Sequence, residues 1–212
     1  MLNFNSITTA IAQETPYHWA FLSNLFSFED SLELAKSYPQ SGFERVGDKS
    51  KNFLVLPIVD ETKDTIKPYK LNTLWQELIN DLCTSAYRLA LTSLTGLDLM
   101  NDLMYIYFFC YDPESSFPPH PDGDAIRMVQ LFYFNQDWDT SWGGCLRILK
   151  DESIESLYQE IPPQLNTSVI LVKSDNSWHC VTPVTSNSPQ SRRILKVAFL
   201  KREEFFASKN NT

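Results

Sequence analysis

The pattern of apolar positions changes near residue 102: before it they fall mostly in helical rhythm, and after it in short alternating runs. In the first half, "YHWAFLSNLF" reads as a strand. Ser27-x-x-Asp30 then opens an amphipathic helix through "EDSLELAKSY" in the manner of a capping box. "FLVLPI" reads as another strand. The longest helical pattern is "LNTLWQELINDLCTSAYRLALTSLTG", where Leu74, Glu77, Leu78, Asp81 and Leu82 follow i, i+3, i+4 spacing and Gly96 supplies a stop.

Beyond residue 102, "LMYIYFFCY", "IRMVQLFYFN", "GCLRIL", "SVILVK", "WHCVTPV" and "RRILKVAFL" are separated by the turn-formers "DPESS", "PDGD", "SWGG", "KSDNS" and "TSNSPQS". Short strands behind a helical segment predict an α+β, mainly β chain. A barrel or jelly roll over 102–200 would be buttressed by a mixed N-terminal region, 1–101. The tail, 201–212, is expected to be ordered only near Phe205 and Phe206 and to fray beyond them. No repeat or low-complexity segment divides the chain, and its 212 residues suit one domain, 1–212.

Composition narrows the classes. Apolar residues make up 43%, with 14 Phe, 9 Tyr and 5 Trp, which excludes a disordered chain. A net charge of -8 gives no support to a nucleic-acid or anionic-membrane partner, and neither is expected. The apolar runs are too short to span a bilayer, and "MLNFNSITTAIAQE" has no secretory pattern. Cys83, Cys110, Cys145 and Cys180 show no CxxC spacing, and three of them sit in apolar runs, as free buried thiols do. A reduced, cytoplasmic protein is the expectation.

The candidate chemistry lies in "FPPHPDGDAIRMVQLFYFNQDW". Side chains two apart on a strand edge share a face, so His120 and Asp122 bring an imidazole and a carboxylate within reach of one cation. The chain holds three histidines, so the third ligand comes from His18 or His179, and His179 lies in the β-rich half. Asp124 is a rival carboxylate on the face of Asp122, and His18 reads as structural. Two His and a carboxylate leave coordination positions open, as in non-haem iron oxygenases, although zinc hydrolases use such sets too.

Three segments go further. "YDPESSFPPHPD", "QLFYFNQDWDTSWGGCLRIL" and "WHCVTPVTSNSPQSRRILKVAFL", in that order over residues 103–200, resemble the iron(II)/2-oxoglutarate-dependent dioxygenases, in their prolyl-hydroxylase-like branch. The resemblance implies a double-stranded β-helix of jelly-roll or cupin-like form. It implies iron on His120, Asp122 and His179, with 2-oxoglutarate and O2 as co-substrates and ascorbate as a candidate reductant. The distal carboxylate of 2-oxoglutarate needs a cation, and a planar guanidinium suits it. Arg192 and Arg193 face opposite ways on a strand. The family's Arg is followed six positions later by a bulky aromatic, which Arg193 with Phe199 satisfies and Arg192 with Ala198 does not. Leu195 and Val197 share the face of Arg193, so Arg193 is expected to point inward. Tyr133 resembles a second donor to that carboxylate, and Tyr111 one nearer the 1-carboxylate.

Arg127 and Trp142 are candidate substrate contacts, with a rim salt bridge and a cover for the barrel edge as their respective alternatives. Halogenating members carry Gly or Ala at the place of Asp122, so the carboxylate implies hydroxylation. The expected activity is hydroxylation of an unactivated C–H in a small amino acid or amino-acid-derived metabolite, releasing succinate and CO2. Hydroxylation of a prolyl or other residue in a peptide or protein is the second expectation, and a non-enzymatic metal- or ligand-binding β-helix the third. A zinc hydrolase has no use for a buried Arg beyond the metal, and no general-base Glu stands beside a ligand.

Overall fold

A computed structural model describes residues 1–47, 52–63 and 66–209, with side chains to Phe206. The N-terminal region contributes α1 (Phe4–Thr8), β1 (Ala12–Gln13), β2 (Trp19–Ser23), α2 (Phe28–Lys36), β3 (Glu44–Gly47), β4 (Asn52–Asp60), α3 (Thr73–Leu82) and α4 (Ser85–Thr95). The strand-rich part follows with β5 (Leu103–Tyr111), β6 (Phe117–His120), β7 (Ile126–Tyr133), β8 (Leu146–Leu149), β9 (Leu157–Ile161), β10 (Thr167–Val172), β11 (His179–Val181) and β12 (Arg192–Leu200), before α5 (Arg202–Lys209).

The helix starts obey capping chemistry. Ser27 accepts from the Asp30 N–H at 3.0 Å and opens α2. The long pattern after residue 70 forms two helices rather than one. The reason is Thr84, whose extended backbone leaves the helix and whose hydroxyl accepts from the Tyr87 N–H to start α4. Gly96, in the left-handed region at φ 72°, closes α4 as expected.

The strands form an eight-stranded sheet in the order β1-β2-β10-β7-β12-β5-β4-β3 and a four-stranded sheet in the order β6-β11-β8-β9. All their strand pairings are antiparallel. Together they make the double-stranded β-helix. Phe109, Val129, Leu131 and Ile194 of the large sheet pack against Leu146, Ile148, Ile161 and Val181 of the small one. The large sheet's other face carries Ile106, Phe108, Phe132, Leu195, Val197 and Phe199 onto Trp75, Leu78, Tyr87 and Leu91 of the helices. Central strands are therefore covered on both faces, which is why β5 and β12 read as almost unbroken apolar runs.

Among the described residues no helix is long and apolar enough to cross a membrane. The tail is more ordered than expected, because α5 continues past Phe206 to Lys209. Phe205 packs on the cluster between the sheets and anchors α5. Residues 210–212 of the expected frayed end lie outside the described residues.

Candidate active site

The register of the small sheet sets His179, at the start of β11, directly opposite His120, at the end of β6. Asp122 follows two residues on, and one ligand atom from each of the three lies within 4.8 Å of the others. His179 Nε2 stands 3.8 Å from Asp122 Oδ2, and the two imidazole centroids are 4.3 Å apart. His120 Nδ1 meets the Pro118 carbonyl at 2.8 Å, and His179 Nδ1 meets that of Ser177 at 2.9 Å. A carbonyl only accepts, so each Nδ1 carries the proton and each Nε2 presents a lone pair, as in metal-binding histidines.

The electrostatics agree with that donor state. Burial, with the neighbouring His179, pushes the His120 pKa down to about 3. Burial also lowers His179. For Asp122 burial acts upward, but Lys196, His179 and His120 outweigh it and hold the carboxyl below its usual range. Two neutral imidazoles and one ionised carboxylate are what a divalent cation takes. The rival donors stand apart: the side chain of Asp124 is fully exposed beside Lys173, and His18 lies near Glu14.

The inward arginine is Arg192, and the expectation for Arg193 is corrected. Arg192 has no solvent-exposed surface, and its guanidinium lies 4.9 Å from the ring centre of Tyr111 and 5.3 Å from that of Tyr133. Arg193 points to the helix side, over the ring of Tyr38 at 5.6 Å. Leu195, Val197 and Phe199 do share its face, but they pack on the helices. A sheet buried on both faces does not reveal its barrel side through apolar neighbours.

Asn135 fixes this register, accepting from the Arg193 N–H at 2.7 Å and donating to the Ser191 carbonyl at 2.8 Å. Gly144 leaves room for the arginine: a Cβ there would sit 2.9 Å from Trp138 Cζ2 and 3.4 Å from Arg192 Cδ.

All three guanidinium nitrogens of Arg192 and the hydroxyl of Tyr133 are buried without a hydrogen-bond partner among the described residues. Buried polar groups are almost always satisfied, so a group of unused donors at one place is suited to an anion. The cavity that reaches Arg192 also touches Tyr111, His120 and His179. The distal carboxylate of 2-oxoglutarate fits these donors, with its other end toward the three metal-ligand candidates.

The remaining predicted contacts fall elsewhere. Arg127 is held by the Asp98 carbonyl at 2.6 Å and the Asp102 carboxylate at 3.1 Å, away from the three ligand candidates. Trp142 packs edge-on against Trp138, with ring centroids 5.5 Å apart, and does not line the cavity over the ligand candidates. That cavity, about 630 Å³, is walled by Phe53, Val55, Tyr105, Tyr107, Phe109 and Phe117 and reaches His120, Asp122 and Lys196. On its wall, Tyr107 donates to Asp60 and accepts from Lys63 at 2.8 Å. Burial, then Asp60, raises the Tyr107 pKa to about 12, so the hydroxyl stays protonated.

Lys196 is the residue that sequence reasoning missed. Its ammonium lies 3.7 Å from Asp122 Oδ1, at the boundary of the two cavities. Burial acts to lower its pKa, but Tyr105, Asp122 and Tyr111 act more strongly upward and keep it charged. The signal was available: "RRILKVAFL" puts one lysine inside an apolar strand, on the face of Arg192.

Residues 106–200 match the family model of the 2OG-Fe(II) oxygenase superfamily. No curated protein matches the chain by sequence. Among solved structures, a Pseudomonas putida prolyl-4-hydroxylase aligns at 16% identity over 93% of this chain and 97% of its own, with a TM-score of 0.64. A Trichoplax adhaerens prolyl hydroxylase, in complex with a hypoxia inducible factor oxygen degradation domain peptide fragment, aligns at 16% over 97% and 92%, with a TM-score of 0.67. The non-heme alpha ketoglutarate dependent epimerase SnoN from nogalamycin biosynthesis aligns at 12% over 86% and 77%, with a TM-score of 0.56. At such identities these structures are similar to the chain in fold.

Proposed function

We propose that this chain, whose residues 106–200 match the 2OG-Fe(II) oxygenase superfamily model, is an iron(II)/2-oxoglutarate-dependent dioxygenase of the prolyl-hydroxylase-like kind and that it hydroxylates a C–H of a small amino acid or amino-acid-derived metabolite. The observation that carries the reading is a cluster of three ligand atoms joined, through a cavity lined by His120, His179 and Arg192, to a guanidinium that is buried without a hydrogen-bond partner among the described residues, as is the nearby Tyr133 hydroxyl. His120, Asp122 and His179 would hold the iron. When bound, it supplies the redox chemistry that turns 2-oxoglutarate and O2 into succinate and CO2 and puts one oxygen atom into a substrate C–H.

The chain's own residues do the rest. Arg192 and Tyr133 bind the distal carboxylate, and Tyr111 lines the same cavity. The Pro118 and Ser177 carbonyls hold the imidazoles in the metal-binding tautomer. Apolar walls from both sheets exclude water around the co-substrate. The larger cavity then orients the substrate, and about 630 Å³ lies within the usual range for small-ligand sites.

A second reading, hydroxylation of a residue within a peptide, is favoured by the cavity's rim at Glu44 and Val46 of β3, where an extended chain could pass. Succinate release separates the two. Iron-loaded protein should release succinate above its background with free amino acids, and not with peptides of the same residues. Stimulation by peptides alone would reject the small-molecule reading.

A further inference from the structure

Away from its exposed rim, where Glu44 stands, the substrate cavity contains one cation whose charge is not matched once the site is filled. Lys63, at the rim, is paired with Asp60 at 3.2 Å. Lys196 stands deeper, with its side chain 18% exposed, and Asp122 is the carboxylate it pairs with among the described residues. Asp122 is also a metal-ligand candidate, so a divalent cation would draw on the same negative charge. With the doubly charged co-substrate on Arg192, the metal, Arg192 and Lys196 together outweigh Asp122 and 2-oxoglutarate by one positive charge. A buried uncompensated charge is costly, and a site that tolerates one generally meets it with a ligand of opposite sign.

The co-substrate's distal carboxylate does not meet this need. Lys196 lies four residues along β12 from Arg192, roughly 13 Å at strand rise, at the end of the cavity that opens onto the aromatic walls.

We propose that Lys196 is a specificity-determining residue that anchors a free carboxylate of the substrate. The reading rests on the dioxygenase function above and deepens it: the substrate is a small carboxylic acid lying against the aromatic wall formed by Tyr105 and Phe109. Both ring centres are 5.9 Å from the ammonium. Because that ammonium is 3.7 Å from a metal-ligand oxygen, the acid is held beside the metal, and the reacting C–H is near the carboxylate rather than at a remote chain end. An interior residue of a peptide has no α-carboxylate to offer here.

The test is anaerobic calorimetry on protein loaded with Fe(II) and 2-oxoglutarate. The probes are the free L-amino acids and their N-acetyl methylamides, which mimic a peptide interior. Loading is checked first by the visible charge-transfer band of iron with 2-oxoglutarate; failure of the dioxygenase reading shows there, before any probe is added. Wild-type protein should bind at least one free acid and not its methylamide. Lys196→Met should weaken that binding tenfold or more, and Lys196→Arg should restore part of it.

The proposal is overturned by methylamides binding as well as acids, by no acid binding the wild type, or by Lys196→Met binding the acid unchanged. A folded Lys196→Met that loses 2-oxoglutarate itself would also overturn it, by assigning the lysine to the co-substrate. Near-UV circular dichroism establishes folding, and Lys196→Gln serves as the second neutral variant.

Discussion

At the scale of single residues, Arg192 and Arg193 separate function from support. Arg192 is a buried cation without a hydrogen-bonding partner among the described residues, so in the ligand-free protein it costs stability. Arg192→Met keeps the bulk and removes the charge. It should leave the ligand-free melting temperature unchanged or raise it, while 2-oxoglutarate affinity falls on the order of 100-fold, within the roughly 2–5 kcal/mol for losing one partner of a buried charge pair. Titration of the charge-transfer band measures the second effect. Arg193→Met should do neither, because its guanidinium lies over Tyr38 on the helix side. Equal losses in both variants would return the role to Arg193. The same contrast bounds what sequence can reveal: His120 and Asp122 were legible because their spacing is local, and His179 because it is one of three histidines and lies in the β-rich half. The choice between adjacent arginines depended on which face of a doubly covered sheet looks inward.

At the scale of elements, the helices act as a backing layer for the sheet that carries Arg192 and Lys196. Trp75 of α3 is fully buried, lies 4.7 Å from the ring of Phe108 on β5, and donates from its indole to the Ser37 carbonyl at 3.1 Å. Trp75→Ala should cost about 3–5 kcal/mol in urea unfolding, with the metal-binding stoichiometry kept at low temperature. Thr84→Ala removes the cap that starts α4 and should cost about 1 kcal/mol. A cost near zero would mean that the break after Cys83 is held by packing alone. That break shows why the periodic pattern misread two helices as one. Apolar spacing runs through the Cys83–Thr84 junction without a change of phase, so the boundary rests on one hydroxyl. The β-rich half was read more fully, since six of its strands are apolar runs bounded by turn-formers; β6 (FPPH) and β9 (LYQEI) escaped because neither carries an apolar run. Lys196 escaped notice because a lysine in a strand usually marks a solvent face, and here it marks a cavity.

At the scale of the whole molecule, the protonation of the site couples stability to pH. In the metal-free protein His120 and His179 have folded pKa values below the usual 6.5, that of His120 at about 3. The unfolded chain then binds more protons than the folded one at mildly acid pH. Their contribution to stability is complete above pH ~6.5 and is lost as pH falls toward the folded values. Asp122, held below 3.8, acts in the same direction: its contribution is present above that value and lost below it. Stability should therefore drop steadily from neutral pH downward, each histidine adding at most about 1.4 kcal/mol per pH unit. Urea unfolding between pH 7 and 4 measures the slope. His120→Asn should flatten it by up to one histidine's share. Added Mn(II) should stabilise wild type at pH 7, where the three ligands are in their donor state. That gain should shrink as acid competes for the imidazoles, and it should be absent in His179→Ala. An unchanged acid slope in His120→Asn, or equal Mn(II) stabilisation of His179→Ala, would separate these histidines from the metal site.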